Sequence, residues 1–405
     1  MQSYVNSIVF VPPRDRCSLQ RVRLLQRQQS MRFTSKTSGE RISYYHFDQK
    51  GDPITEDNIE RVVRSSIVVL YHHGNAEDLG ASFNYAQSIA SVFGVAVVAY
   101  DYCGYGLSGF PNAAKPSKVS EKSVYSDADH MYSHLLSLGY PAHRIVIVGR
   151  SVGGGPACYL AEKHHKEVCG LVLISTFTSC FRVVSSWCLP FFCSCFDMFP
   201  NYRRIKDILE CPVLVMHGTN DDVVPYHCSS ELFEDIRVRR TSALQLLLSK
   251  RGRRPEGQTS DLKTEGGAPR APTGTTKGST TISVPDEWHT TAHPFLGSRA
   301  TDVFDLYALA HNSLSEGVKS MAEKHLNVTA ADVVIGAFHR WFVGCGHNDI
   351  EEREGSDFTR MLMYFLRFAA AFSREREALA SHASLAGAAI ESGNPVPITN
   401  PRGRE

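Results

Sequence analysis

The sequence predicts an α/β fold with a mostly parallel sheet, because short apolar segments alternate with amphipathic helical segments along most of the chain. The apolar segments are rich in Val, Ile, Leu and Tyr, as expected of strands covered by helices on both faces. Strand and helix in alternation are typical of a doubly wound domain. The predicted strands are 66–71, 95–100, 145–148, 171–174, 212–216 and 338–343.

The composition is that of a globular protein with a large core: 405 residues, 42% hydrophobic and 10% aromatic. Lys plus Arg (43) nearly equals Asp plus Glu (42), so no overall charge would attract nucleic acid. The 11 cysteines form no disulfide framework typical of a small secreted domain and no metal-ligand spacing. We therefore expect a cytoplasmic protein with reduced thiols and no metal or organic cofactor. Neither a signal peptide nor a membrane-spanning run is apparent, which predicts a soluble or peripheral protein.

Two segments interrupt the alternating pattern. Residues 251–285 are rich in Gly, Thr, Ser, Pro and basic residues, and carry too few large apolar side chains to offset the entropy of ordering. Helical periodicity returns at 301–326. We expect one domain over residues 1–380 with an insertion at about 239–331, disordered over 251–285, ahead of the last strand. Residues 381–405 are expected to form a flexible tail.

A Gly-x-Ser-x-Gly motif directly follows the predicted strand 145–148 and opens a helical segment. It consists of Gly149, Arg150, Ser151, Val152 and Gly153. In this context the motif indicates a nucleophile elbow, in which the serine occupies a strained turn between strand and helix. The alternative is a glycine-rich turn whose serine caps the following helix.

A serine nucleophile needs a base and an acid that orients the base. In the α/β-hydrolase fold these follow the serine in the order acid, histidine, each after a strand. Asp221 follows strand 212–216 and His347 follows the last strand. The adjacent Asp222 is the alternative acid, although it begins the next apolar step. We interpret His217 as a brace for the loop that carries the acid.

The predicted oxyanion hole uses two backbone amides. Val152, next to the nucleophile, should supply one, and Asn75, in the loop after an early strand, the other. A glycine-rich stretch at 102–109 lacks the Lys-Ser/Thr pair of a phosphate loop, so we place it beside the mouth of the site. Together these features predict an α/β-hydrolase fold, with helices on both faces of its sheet, that acts as a serine hydrolase.

Seven short stretches also resemble one hydrolase family. They are VFVPP at 9–13, HGNAEDLG at 73–80, YDYCGYGLS at 100–108, GRSVG at 149–153, CFDMFPN at 195–201, HGTND at 217–221 and GHNDIE at 346–351. In them the sequence is similar to the α/β-hydrolase domain-containing protein 17 family, membrane-associated thioesterases that remove palmitate from S-acylated proteins. The resemblance covers about 8–238 and 337–372, and implies the catalytic roles of Ser151, Asp221 and His347.

The resemblance implies an S-acylated protein or acyl-ester substrate and a cytoplasmic location, peripheral on the plasma membrane or endosomes. The family carries an acylated N-terminal cysteine cluster, whereas no cysteine precedes Val9 here, and stable anchoring takes two signals. Family members more often have Gln where this chain has Arg150. An aromatic and thiol-rich segment at 187–199 either contacts an acyl chain or a bilayer, or packs as ordinary core. The basic cluster at 250–254 either assists such contact or is a solvated loop.

Two alternatives to a thioesterase remain open at this point. The same machinery could serve a serine peptidase of the prolyl-oligopeptidase type, or a lipase or esterase. Such peptidases usually carry a propeller domain, for which this chain has no room. The second alternative, of another class, is a catalytically inactive binding protein, although all the predicted catalytic residues are present.

Overall fold

The computed structural model describes residues 6, 9–13, 16–27, 30–111, 117–185, 197–252 and 303–392. Its centre is an eight-stranded sheet in the order β1-β2-β4-β3-β5-β6-β7-β8. The strands are β1 (Arg32–Ser35), β2 (Arg41–Phe47), β3 (Val68–His72), β4 (Ala96–Tyr100), β5 (Ile145–Arg150), β6 (Gly170–Ile174), β7 (Val213–Gly218) and β8 (Ala337–Phe342). The β1–β2 and β2–β4 pairs are antiparallel, and the pairs from β4 through β8 are parallel.

Helices separate the parallel strands and give the domain its layered architecture. They are α1 (Arg16–Arg27), α2 (Ile59–Ser65), α3 (Leu79–Phe93), α4 (Glu121–Ser137), α5 (Gly154–His164), α6 (Cys180–Ser185), α7 (Asn201–Arg204), α8 (Tyr226–Gly252), α9 (Val303–Asn312), α10 (Glu316–Leu326), α11 (Ala330–Ile335), α12 (Ile350–Arg353) and α13 (Gly355–Ser392). The strand order and the helical crossovers confirm the predicted α/β-hydrolase fold. All six predicted strands are present, with small shifts at their ends.

The parallel register gathers the loops that carry the site at one edge of the sheet. His72 at the end of β3 pairs with Gly149 in β5, and Arg150 pairs with Ile174 at the end of β6. Farther across, Gly218 pairs with Phe342 at the ends of β7 and β8. Because parallel strands point the same way, the segments after β3, β5, β7 and β8 all emerge on this carboxyl edge, where α/β sheets bind ligands.

The last helix, α13, secures the final strand to the core. Phe338 in β8 has its ring centroid 5.6 Å from that of Tyr364, 6.1 Å from that of Phe365 and 4.9 Å from that of Phe368. All four side chains are buried. These edge-on aromatic contacts fix β8, and with it the loop that follows, against a long rigid element.

The helical part of the predicted insertion packs on the sheet domain. Its predicted start, Arg239, lies inside the continuous helix α8, and residues 303–335 form α9, α10 and α11. Arg240, which has no exposed surface, donates to the backbone oxygens of Ile335 and Gly336, both at 2.9 Å, and lies 3.3 Å from the Tyr307 hydroxyl. A buried guanidinium therefore joins α8 to the segment ahead of β8.

The two segments predicted to be flexible, 251–285 and 381–405, are described by the structure to different extents. Apart from the end of α8, the range 251–285 lies outside the described residues. In the predicted tail, α13 continues to Ser392. The Ala, Leu and Glu residues of this part favour helix, and its flexibility stays a prediction. Residues 393–405 lie outside the described part of the chain.

Candidate active site

The nucleophile elbow has the strained geometry that the motif predicts. Ser151 has φ +52°, in the left-handed region, and a 3-10 turn over Ser151–Gly153 leads directly into α5. A Cβ added at Gly153 would lie 2.1 Å from the His72 oxygen, and one at Gly149 would lie 2.5 Å from the Gly153 oxygen. Glycine is needed at 153 because the elbow packs against the end of β3, and at 149 because the chain after the serine turns back onto the strand.

The three predicted triad residues meet at the carboxyl edge of the sheet. His347 Nε2 lies 3.0 Å from Ser151 Oγ, and His347 Nδ1 lies 2.6 Å from Asp221 Oδ2. The exposed fractions are 9% for Ser151, 8% for His347 and 9% for Asp221, so the chain of hydrogen bonds is largely shielded from water. The order serine, imidazole, carboxylate is the one that acyl-transfer catalysis by serine requires.

Of the two adjacent acids, Asp221 contacts the histidine and Asp222 is exposed. The second Asp221 oxygen, Oδ1, accepts from the amides of Val223 at 2.9 Å and Val224 at 2.8 Å. Burial opposes ionisation of Asp221, but hydrogen bonds from His217 and His347, together with the Val224 amide, hold the pKa of this carboxyl below its usual range. Asp221 is therefore an ionised acceptor at neutral pH.

His217, predicted as a brace, lies between the acid and the elbow. Its Nε2 is hydrogen-bonded to the Val224 oxygen at 2.9 Å and lies 3.0 Å from Asp221 Oδ2, and its Nδ1 lies 2.6 Å from Ser229 Oγ. The Ser229 hydroxyl donates to the Thr176 backbone oxygen at 2.9 Å, and the Thr176 hydroxyl donates to the Ser151 backbone oxygen at 3.1 Å. These contacts connect the loop of the acid to the backbone of Ser151. The sequence did not single out Ser229 and Thr176, because nothing in their spacing marks them.

The loop after β3 lies beside the nucleophile. A Cβ added at Gly74 would be 3.6 Å from Ser151 Cβ, and Asn75 is the next residue. Val152 lies in the 3-10 turn immediately after Ser151. Both predicted donors thus belong to segments that adjoin Ser151. Their role as the oxyanion hole stays a prediction.

The Asn75 side chain fixes the conformation of this loop. Its Oδ1 accepts from the Val11 amide at 2.8 Å and from the Tyr105 hydroxyl at 2.9 Å, and its Nδ2 donates to the Val9 oxygen at 2.7 Å. A segment near the start of the described chain and the glycine-rich 102–109 loop therefore converge on Asn75. The sequence placed that loop at the mouth of the site, and the Tyr105 contact is consistent with this.

Arg150, the variable residue of the elbow, is buried and paired. Its Nη1 lies 2.6 Å from Glu351 Oε1, its Nη2 donates to the His347 backbone oxygen at 3.4 Å, and its Cζ lies 5.5 Å from the centre of the Tyr85 ring. Burial opposes its charge, while Tyr85 and Glu351 raise the pKa of the guanidinium above its usual range. The sequence showed Arg150 as a departure and Glu351 as part of a motif, but not that they meet.

The described residues show neither a metal-binding cluster nor a membrane-spanning helix. They contain no group of three or more His, Cys, Asp or Glu side chains arranged to hold a metal ion. No helix in the described ranges is both long and apolar enough to cross a bilayer. The aromatic and thiol-rich segment at 187–199, predicted to contact lipid or to pack as core, lies mostly outside the described residues.

Comparison with known proteins gives matches to hydrolases. The family model described as serine aminopeptidase, S33, matches residues 64–193. The chain is 35% identical over 167 residues to α/β-hydrolase domain-containing protein 17B of Xenopus laevis, covering 41% of this chain and 54% of that protein. It is 31% identical over 182 residues to α/β-hydrolase domain-containing protein aho-3 of Caenorhabditis elegans, covering 44% of this chain and 50% of that protein. The chain thus spans about half the length of the curated relatives it matches.

Among solved structures, the monoacylglycerol lipase of Paleococcus ferrophilus superposes with a TM-score of 0.41 at 13% identity, over 81% of this chain and 99% of that one. A TM-score at this level adds nothing to the fold, which the strand order already establishes.

Proposed function

We propose that this chain, which is similar to members of the α/β-hydrolase domain-containing protein 17 family over 41–42% of its length, is a serine hydrolase that cleaves acyl thioesters or esters. The observation that carries the proposal is the continuous hydrogen-bonded chain from Ser151 through His347 to Asp221. Ser151 also has the left-handed φ that a nucleophile elbow requires.

In the proposed reaction, His347 Nε2 takes the Ser151 proton as Oγ attacks the acyl carbonyl carbon. Asp221 holds the ring with Nδ1–H toward the carboxylate and stabilises the imidazolium that forms. The amides of Asn75 and Val152 stabilise the oxyanion. Collapse of the intermediate breaks the bond to the thiol or alcohol, which leaves with the proton from His347. Water, deprotonated by the same imidazole, then attacks the acyl-serine and releases the acid.

Within this class we propose a palmitoylated protein as the substrate. This step rests on the resemblance to the protein 17 family, since fold alone does not determine substrate. The resemblance includes the motif GHNDIE, which contains His347 and Glu351. A substrate held on membranes implies peripheral action at the cytoplasmic face of the plasma membrane or endosomes, which we also propose.

A serine peptidase is the second candidate, because the matching family model is described as serine aminopeptidase. Peptide and thioester hydrolysis share the triad and differ in the leaving group, which is an amine or a thiol. The two are therefore distinguished by substrates rather than by active-site geometry.

The test is labelling of the purified full chain with a fluorophosphonate, with and without a palmitoyl thioester as competitor. The variant Ser151→Ala should not be labelled. The matched control is Ser175→Ala. Ser175 follows the neighbouring strand β6 with φ +49°, and its hydroxyl has no hydrogen-bond partner among the described residues. This control variant should be labelled like the wild type.

Each outcome has a separate meaning. Labelling of the wild type and of Ser175→Ala, blocked by the thioester, supports the proposal. Labelling that only a peptide substrate blocks favours the peptidase. A folded wild type that is not labelled would contradict the hydrolase and leave an inactive binding protein.

A further inference from the structure

The charged residue inside the elbow occupies an unusual position for an arginine. Arg150 precedes the nucleophile, is 7% exposed, and points toward the loop that carries His347. Burying a guanidinium is costly unless a carboxylate and further contacts compensate. Here Glu351 supplies the carboxylate and Tyr85 a ring face. Packing alone does not explain an arginine at position 150, since an uncharged side chain would fill the same space without the desolvation cost of a buried charge.

On the side of the acid, backbone and hydroxyl contacts fix the His347 loop. The Asn220 amide donates to the Cys345 oxygen at 2.9 Å, and the Gly344 amide donates to Thr219 Oγ1 at 2.9 Å. These bonds connect the loop after β7 to the loop after β8. They hold the loop of Asp221 against the loop of His347, and Ser151 takes no part in them.

On the side of the nucleophile, the Arg150 side chain makes the connection. It extends from the residue before Ser151 to the His347 backbone oxygen and to Glu351 in α12, four residues past the histidine. The Arg150 and Glu351 side chains are 9% and 25% exposed, so water screens their attraction only in part. Arg150 therefore contacts both ends of the 347–351 segment, and these contacts hold the His347 loop against the elbow.

We propose that Arg150 and Glu351 form a latch that positions His347 for proton transfer with Ser151. The inference deepens the proposed function and rests on it. Neither residue touches the reacting atoms, so both are positioning residues.

The experiment compares fluorophosphonate labelling rates of Arg150→Met, Glu351→Gln and the double variant with the wild type. We expect each single variant to lose about 10- to 100-fold, since a misplacement of about 1 Å at a reacting group costs about 100-fold. The double variant should be no slower than the slower single variant, because both changes open the same latch. With a palmitoyl thioester, kcat should fall and KM should stay within about twofold.

The matched control is the ion pair of Arg204 and Glu162, away from the triad. Its side chains are 20% and 32% exposed, and Arg204 also lies over an aromatic ring, with its Cζ 5.1 Å from the centre of Tyr125. Arg204→Met should lose a comparable ion pair without slowing labelling. Arg150→Lys keeps the charge with a single nitrogen, and should be intermediate between wild type and Arg150→Met.

A second measurement does not depend on activity. Hydrogen exchange of the 344–351 amides should accelerate in Arg150→Met, while exchange in β7 stays unchanged. Unchanged labelling in both single variants, additive losses in the double variant, or unchanged exchange at 344–351 would overturn the latch. If the wild type itself is not labelled, the proposed function fails and the exchange result alone decides whether the latch exists.

Discussion

The buried Arg240 offers a prediction whose magnitude can be worked from the structure. Its guanidinium, with no exposed surface, donates to four backbone oxygens: those of Ile335 and Gly336 at 2.9 Å, Ile208 at 2.9 Å and Cys211 at 2.6 Å. The Ile335 and Gly336 oxygens lie at the carboxyl end of α11, where a cation is favourable. The perturbation is Arg240→Met, which keeps most of the apolar length and removes every donor.

The expected loss follows from two opposing terms. The Gly336 oxygen keeps the Val213 amide as a donor at 2.9 Å, so three oxygens lose the donor that Arg240 supplies. Each buried oxygen left without a donor costs about 1–3 kcal/mol. Removing the guanidinium recovers part of this, because a buried cation carries a desolvation cost of several kcal/mol. The difference between these two terms gives an expected fall of about 3–5 kcal/mol in the free energy of unfolding. A typical domain has about 5–15 kcal/mol in total, so this is a large change.

Denaturant unfolding of the full chain measures this loss, with Arg237→Met as the matched control. Arg237 lies three residues earlier on the same helix in an exposed pair with Glu234, with side chains 41% and 53% exposed, and should cost less than about 1 kcal/mol. The labelling rate per folded molecule should be unchanged in both variants. A loss in Arg240→Met no larger than in Arg237→Met would refute the reasoning, since the carbonyl oxygens would then not depend on the guanidinium.

Three further changes test the site and its surroundings. Asp221→Asn should slow fluorophosphonate labelling by about four orders of magnitude, because an amide holds the His347 ring in the wrong tautomer. In the control Asp222→Asn, where the residue is exposed, the labelling rate should stay within about twofold of the wild type. Equal effects of the two changes would mean that the acid was assigned to the wrong residue. Gly153→Ala should lower both the labelling rate and the thermal midpoint, since its Cβ would lie 2.1 Å from the His72 oxygen, and wild-type values for both would disprove the close packing of the elbow. Burial, with smaller contributions from Arg32 and His134, lowers the pKa of His46 to about 3. Below pH 6.5 the unfolded state therefore binds a proton that the folded state does not bind. The free energy of unfolding then falls as the pH falls from 6.5 toward 3. His46→Gln should therefore reduce the slope of unfolding free energy against pH by about 1.4 kcal/mol per unit, and a denaturant series between pH 6.5 and 5 with an unchanged slope would contradict this.

The fold was predictable because its signals are local. Each buried parallel strand is a short run of apolar residues, and a run such as 145–148 is recognisable without knowing its neighbours. Helix ends also depend on neighbouring residues: α4 begins at Glu121 with a reciprocal pair of hydrogen bonds between Ser120 and Ser123. The flexible tail over 381–405 stays a prediction, although α13 continues into it as far as Ser392.

The candidate triad was also predictable, for a different reason. Chain order and strand ends nominate Ser151, Asp221 and His347, and parallel strands bring such ends to one edge. The structure brings these three side chains together at hydrogen-bonding distance. The choice of Asp221 over Asp222 was less certain from sequence, because the two acids are adjacent and the conformation of the loop after β7 decides which one faces the histidine. The structure supports that choice through the contact with His347 and the exposure of Asp222.

By itself, the sequence determined the α/β class, the six parallel strands, the elbow at Ser151 and the residues able to act with it. These follow from apolar periodicity and from small residues at sterically demanding turns, which are properties of neighbouring positions. Only the tertiary structure decided that Arg150 meets Glu351 and that Arg240 lies among the carbonyl oxygens ahead of β8. Those contacts join residues far apart in the chain, and a charged side chain is compensated in the interior by whatever partners the packing brings to it.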